Sequence, residues 1–328
     1  MRRMVSLISL FFLPVTAWGA CDGTDLIAAL APERQQALST RADAQPYPKG
    51  LLWRAMRDDT TITLFGTYHF PHERTEAHLQ VLEPLIDAAD DVYLEISNAD
   101  HARMEDEVSR DPSIMFITEG ATLPDLLGEQ DWQSYAAAMK QRGIPGFMAA
   151  KFKPLWAAMM LGLGPCEARK GAMQAKGIDM RIGEHAADIG TPGKSLEDYR
   201  TLLTMLDSFP QDDQLDMIRL FLAWPLDADD MAYTLRQRYL AQDVALIWEY
   251  SRLLSLTHGG ESAAEDFALF EKILLVDRNR AWVDLLLDKA RGRTVFAAVG
   301  AAHLPGRHGV LTLLAEAGFR ITRLPFDP

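Results

Sequence analysis

Two stretches near opposite ends of the chain share one pattern, and together they constrain the fold more than anything else in it. Thr61-Ile62-Thr63-Leu64-Phe65 runs into Gly66-Thr67-Tyr68-His69, and Thr294-Val295-Phe296-Ala297-Ala298-Val299 runs into Gly300-Ala301-Ala302-His303. Each reads as a buried strand that breaks at a glycine, with a histidine three residues on. Spacing alone is weak: 22 Gly and 8 His in 328 residues make about half a Gly-x-x-His pair by chance. The strand context strengthens it, because ligands in open α/β sheets bind beyond the carboxyl ends of strands. If His69 and His303 serve one site, both ends of the chain must join one sheet.

Glu95 is the third member. It ends Asp91-Val92-Tyr93-Leu94-Glu95-Ile96, a run otherwise apolar enough to be a buried strand. A carboxylate there is costly unless it is paired or bound to a cation. Two imidazoles and a carboxylate suit zinc, or manganese, iron or cobalt. Taken singly, each histidine reads as a core residue satisfied by backbone, and Glu95 as the partner of an arginine. Taken as three strand ends, they read as one site of converging titratable groups.

The first twenty residues look like a secretory leader. Arg2 and Arg3 precede an apolar run from Val5 to Val15, and Ala17-Trp18-Gly19 offers a small-x-small cleavage signal that leaves Ala20 first in the mature chain. This divides the chain into a leader, 1–19, and a single domain, 20–328, in the periplasm or secreted. A lipoprotein acylated on Cys21 is the alternative, and the bulky Trp18 argues against it. No later stretch is long enough to span a bilayer, so no integral membrane segment is expected after cleavage. The net charge of -13 favours neither nucleic acid nor anionic lipid. Cys21 and Cys166 are the only cysteines. An even count in an exported protein implies a disulfide; two unrelated thiols are the alternative.

Hydrophobic patterning predicts an α/β (α+β) protein. The N- and C-terminal parts form a central mixed sheet flanked by helices, and the middle section is helical. The strands are 51–56, 61–65, 91–96, 294–299 and 319–324, the first two joined at Asp58-Asp59. Helices are expected at 76–89, 123–127, 131–142, 153–161, 196–207, 211–223, 230–254, 261–289 and 310–317, with a break at Gly162-Leu163-Gly164-Pro165.

Gly66-Thr67-Tyr68-His69, Leu94-Glu95 and Val299-Gly300-Ala301-Ala302-His303-Leu304-Pro305-Gly306 resemble the TraB/GumN/TIKI family. Gly50-Leu51-Leu52-Trp53-Arg54, Lys153-Pro154-Leu155-Trp156, Gly177-Ile178-Asp179, Leu196-Glu197 and Asp277-Arg278-Asn279-Arg280-Ala281-Trp282 extend the likeness over nearly the whole mature chain. The family's animal members are described as metal-dependent proteases. The resemblance therefore implies His69, Glu95 and His303 as metal or catalytic residues, with Mn2+ or Co2+ favoured, and a peptide or protein substrate. It also implies a strand-like apolar step before Glu197, where this chain reads Thr191-Pro192-Gly193-Lys194-Ser195.

Further catalytic candidates are Arg278, Asn279 and Glu197. Arg278 could clamp a carboxylate or an oxyanion, or pair with Glu95 or Glu197. Glu197 is a further acid, or a helix N-terminal glutamate favoured by the dipole. His72, with Glu73 and Glu76, closely follows the first motif; it reads as a solvated loop residue, with a contact to the site or the substrate as the alternative, while His308 reads as surface, and Trp156, Met159, Met160 and Leu161 as helix core. The expected activity is that of an exported metal-dependent hydrolase, a peptidase whose water is activated at the two-His/one-Glu site. One alternative is a protein that binds and sequesters a peptide or small ligand; another is a haem- or iron-handling protein, disfavoured for covalent haem by the lack of Cys-x-x-Cys-His.

Overall fold

A computed structural model describes residues 21–224 and 226–328; the leader expected at 1–19 lies outside them. Both ends of the chain do build one six-stranded mixed sheet. Its strands are β1 (Leu52–Arg57), β2 (Thr60–Thr67), β3 (Asp91–Leu94), β4 (Lys194–Ser195), β5 (Thr294–Gly300) and β6 (Arg320–Arg323), in the spatial order β4-β3-β5-β2-β1-β6. β1 and β2 form the antiparallel hairpin, turning at Asp58 with φ 53°. β2 and β3 are parallel, as a strand–helix–strand unit requires, but they are not neighbours: the late strand β5 lies between them, parallel to both.

Side chains alternate across this sheet and both faces are covered. On one face Phe65, Val92, Leu94, Phe296 and Ala298 pack under the helices Thr75–Asp87 and Ile178–Asp188. On the other, Ile62, Leu64, Tyr93, Val295, Ala297 and Val299 meet Trp282, Val283 and Leu286 of the helix Asp277–Lys289 and Val310, Leu311 and Leu314 of Val310–Glu316. The helical middle has a core of its own around Tyr135, Met139, Phe152, Leu161, Leu215 and Ile218. Met159, expected in that core, is instead 46% exposed.

Three differences from the sequence reading have local causes. The expected 230–254 helix is two, Ala228–Leu240 and Val244–His258, broken where Gln242 takes φ 60°. The expected 261–289 helix stays helical but passes through a π turn at Lys272–Val276. Lys194-Ser195 forms an edge strand on β3 without any apolar side chain, because its backbone completes the parallel ladder. The helices Pro32–Asp43, Asn98–Arg110 and Ile178–Asp188 were not anticipated; Asn98–Arg110 is predominantly polar and has no buried residue, so no apolar run marks it.

Cys21 and Cys166 are disulfide-bonded across 145 residues. Closing so long a loop restricts the unfolded chain, an effect typically worth about 2–4 kcal/mol. The Cys21 sulfur is thereby unavailable for the thioether of a lipoprotein. Beside the bridge, buried Arg236 donates to the Cys21 carbonyl at 2.5 Å and to Glu167 at 2.7 Å, and its guanidinium lies 3.5 Å from Glu73. Among the described residues no helix is long and apolar enough to cross a membrane.

Candidate functional site

The parallel register brings the chemistry together. Gly66 lies opposite Val299 and Thr67 opposite Gly300, while Leu94 lies opposite Ala298. His69, Glu95 and His303 therefore leave the sheet side by side at its carboxyl end. The point where a Cβ on Gly300 would stand is 3.0 Å from Glu95 Oε1, 3.3 Å from His69 Nε2 and 3.5 Å from His303 Cδ2. Any larger residue there would fill the centre of the site. Gly66 is required for close packing: a Cβ would come within 2.8 Å of Leu304 and 3.1 Å of Ala301.

His303 sits in the 3-10 turn Ala301–His303 after β5 and is buried. Its Nδ1 is 2.6 Å from Asn279 Oδ1, and the Asn279 amide donates to the His308 carbonyl at 2.8 Å. That donation fixes the amide's orientation, so Nδ1 carries the proton and Nε2 keeps its lone pair. Burial drives His303 down to about 3, with the charges of Arg278 and His69 adding to the effect and Glu95 opposing it. His303 is thus a neutral imidazole near pH 7. The Trp282 ring packs against it, 4.4 Å between centroids.

His69 stands just beyond β2 with 59% of its side chain exposed. Asp179, in the first turn of Ile178–Asp188, approaches its Nδ1 at 3.2 Å and accepts from the Thr67 hydroxyl at 2.5 Å. The Asp179 charge raises His69 to about 9, against a contrary pull from desolvation. Gly177 permits this pairing, since a Cβ there would lie 2.0 Å from the His69 carbonyl oxygen. Asp179→Asn is expected to lower the His69 pKa from about 9 toward the ordinary imidazole value, read by NMR titration of the ring protons; an unchanged titration would remove Asp179 from this role.

Glu95 accepts from the Gly300 amide at 2.5 Å and from Arg278 Nη2 at 2.8 Å, and its Oε1 lies 3.8 Å from His303 Nε2. Burial works to raise its pKa, but the imidazoles of His303 and His69, the Arg278 guanidinium and the Gly300 amide outweigh it and hold the group at about 2. Because His303 itself is neutral, Arg278 and His69 are the cations that balance the Glu95 charge. Arg278 also grips Glu197, with Nε 3.1 Å from both carboxylate oxygens and Nη2 2.5 Å from Oε1. Its Nη1 lies 3.3 Å from the Leu274 carbonyl and 3.4 Å from His303 Nε2. This fork is occupied by protein groups, so Arg278 organises carboxylates and is not a free anion clamp. Glu197 precedes the N-cap Asp198, outside the first helical turn, and burial pushes its pKa up.

All six candidates, His69, Glu95, Glu197, Arg278, Asn279 and His303, thus meet at one end of the sheet. The π turn at Lys272–Val276 immediately precedes Arg278 and Asn279; such turns frequently accompany functional sites. The sequence reading gave no role to Asp179, Thr67 or Trp282. Asp179 was legible only as part of Gly177-Ile178-Asp179. His72 is not a solvated loop residue: it is 4% exposed, away from the site, beside His78 and Tyr239. His308 is exposed, as expected, and contributes only its carbonyl.

The TraB/PrgY/gumN family model matches residues 51–323, from the residue before β1 to the end of β6. The chain belongs to this family. The matched span contains every residue of the site and both Gly-x-x-His segments. No curated protein is similar enough to the chain to count as a match.

Proposed function

We propose that this TraB/PrgY/gumN member is an exported metal-dependent hydrolase that cleaves peptide bonds. One observation carries the reading: His69 Nε2, Glu95 Oε1 and the His303 ring surround a single point over Gly300. The donor chemistry fits a divalent cation. Each imidazole has its Nδ1 engaged, by Asp179 or by Asn279, which turns Nε2 toward the site in the manner of metal-ligating histidines. Glu95 supplies an ionised carboxylate. Among the described residues no three His, Cys, Asp or Glu side chains already stand at ligand spacing. Binding therefore requires the 3.8 Å gap between His303 and Glu95 to close and the 3.4 Å contact of Arg278 with His303 to loosen. It also displaces the His69 proton, so affinity rises with pH.

A cation held by His69, Glu95 and His303 supplies Lewis acidity close to neutral pH. The protein's own groups do the rest. Asn279 fixes the tautomer that leaves the His303 Nε2 lone pair for the cation, and a carboxylate, Glu95 or Glu197, would accept the proton of the attacking water. Arg278 keeps Glu95 and Glu197 from moving apart. Export is supported by the Cys21–Cys166 bridge, since disulfides persist in oxidising compartments.

The test compares the chain after loading with Mn2+, Co2+ or Zn2+ with His69→Ala and His303→Ala. Both variants are expected to lose stoichiometric metal and to cleave a peptide library at least about a hundredfold more slowly. Full activity of His69→Ala would overturn the reading. One observation favours a second reading, a protein that sequesters a peptide or small ligand: His69 pairs with Asp179 and Arg278 with both Glu95 and Glu197, so each of these carboxylates already has a protein cation beside it. A bound peptide recovered intact after incubation with loaded protein would support it.

A further inference from the structure

The net charge of -13 conceals a local reversal. Between Lys140 and Lys176 the chain carries seven Lys and Arg against a single acid, Glu167; Arg142 is buried, Lys153 pairs with Asp207 and Lys176 with Glu184, while Lys140 and Lys151 stand exposed. Within this segment Gly143–Met148 forms an apolar tip. Phe147 is 77% exposed and Met148 40%. Exposed Lys140 and Lys151 bracket it in the chain. Cβ atoms on Gly143 or Gly146 would meet nothing within 4 Å, so the tip is convex.

The protrusion is held firmly. Ile144 and Ala149 are buried beneath it. The buried Arg142 guanidinium donates to the carbonyls of Ala138, Leu161 and Leu163. The Lys151 carbonyl accepts from the Ile117 amide at 2.6 Å, and Phe152 stacks on Phe116. Asp125 lies close enough to feel Lys151, but its carboxylate is taken by the Thr122 amide and hydroxyl.

We infer that the tip at Phe147 and Met148, flanked by Lys140 and Lys151, docks the protein on an anionic phospholipid surface. A rigid aromatic and thioether protrusion suits the acyl–headgroup boundary, and flanking ammonium groups suit anionic headgroups. A bilayer closes around a convex tip, whereas a folded partner would need a matching pocket. The acidity of the remaining surface repels the same bilayer and so fixes which side faces it.

The test is co-sedimentation of residues 21–328, which carry the whole described fold, with phosphatidylcholine vesicles with and without phosphatidylglycerol. Binding is expected only with phosphatidylglycerol and should weaken as salt rises. The double variants Phe147→Ser/Met148→Ser and Lys140→Glu/Lys151→Glu should each weaken it by roughly tenfold or more. All four side chains are exposed, so far-UV circular dichroism should be unchanged. No binding to phosphatidylglycerol vesicles, equal binding to both compositions, or binding untouched by both variants would overturn the inference.

Discussion

Replacing Arg278 by Ala is expected to destabilise the protein by about 3–5 kcal/mol, the usual consequence of removing one partner from a buried ion pair. Arg278, Glu95 and Glu197 have side chains only 12%, 14% and 10% exposed. Without the guanidinium, two buried carboxylates face each other with no shared cation. At least one must then take up a proton or draw in water. Lys at this position keeps the charge but loses the fork that serves both carboxylates, so it should recover only part of the loss. Glu197→Gln in the Arg278→Ala background should recover a further part, because it removes one of the stranded charges. The sign with pH follows from Glu95. Its folded pKa, about 2, rises toward or above the ordinary carboxyl value once Arg278 is gone. The stability that wild type holds above the ordinary value is then missing, so the gap between variant and wild type is widest near neutrality and narrows in acid. Urea unfolding of the variants at several pH values measures all of this. A loss under about 1 kcal/mol would mean that solvent screens the trio and that Arg278 does not organise the site.

How much of this was legible beforehand depends on what each feature needs. The strands carrying Gly66 and Gly300 were readable because both faces of the sheet are buried, which leaves continuous apolar runs in the sequence. The convergence of His69, Glu95 and His303 followed from placing both chain ends in one sheet. Order within the sheet was not readable: nothing local shows that β5 inserts between β2 and β3. The alternative of an ion pair for Arg278 was foreseen with the correct partners, Glu95 and Glu197. Asp179 was not foreseen, because its role depends on Gly177 admitting the His69 backbone, and Asp179 is 110 residues from His69 in sequence. His72 was misread because its polar neighbours Glu73 and Arg74 suggest a wet loop, while tertiary packing folds its ring inward.

The second large effect expected is a steep loss of stability in mild acid, and it arises mainly away from the site. His72 and His78 are 4% and 2% exposed, with ring centroids 4.8 Å apart, in a nest that includes Phe65, Tyr239 and Phe326. The Arg74 amide donates to His72 Nδ1, which makes this imidazole neutral, and neither His72 Nε2 nor His78 Nδ1 has a hydrogen-bond partner. A proton added to either ring would be buried and uncompensated. Burial accordingly lowers His72 to about 4 and His78 to about 3, Arg74 adding to both, and His303 lies at about 3 for the same first cause. In the unfolded chain all three titrate near the ordinary value of 6.5. Folded pKa values below the unfolded one contribute stability that is whole above pH 6.5 and is lost as pH falls toward 3. Each such proton costs about 1.4 kcal/mol per pH unit, so near pH 5 three together give a slope of about 4 kcal/mol per unit. His78→Leu should remove roughly a third of that slope, whatever it does to stability at pH 7. Urea midpoints measured from pH 7.5 to 4.5 read the slope directly. A flat profile across that range would mean that His72 and His78 take up protons in the folded protein, and that the aromatic nest opens to water.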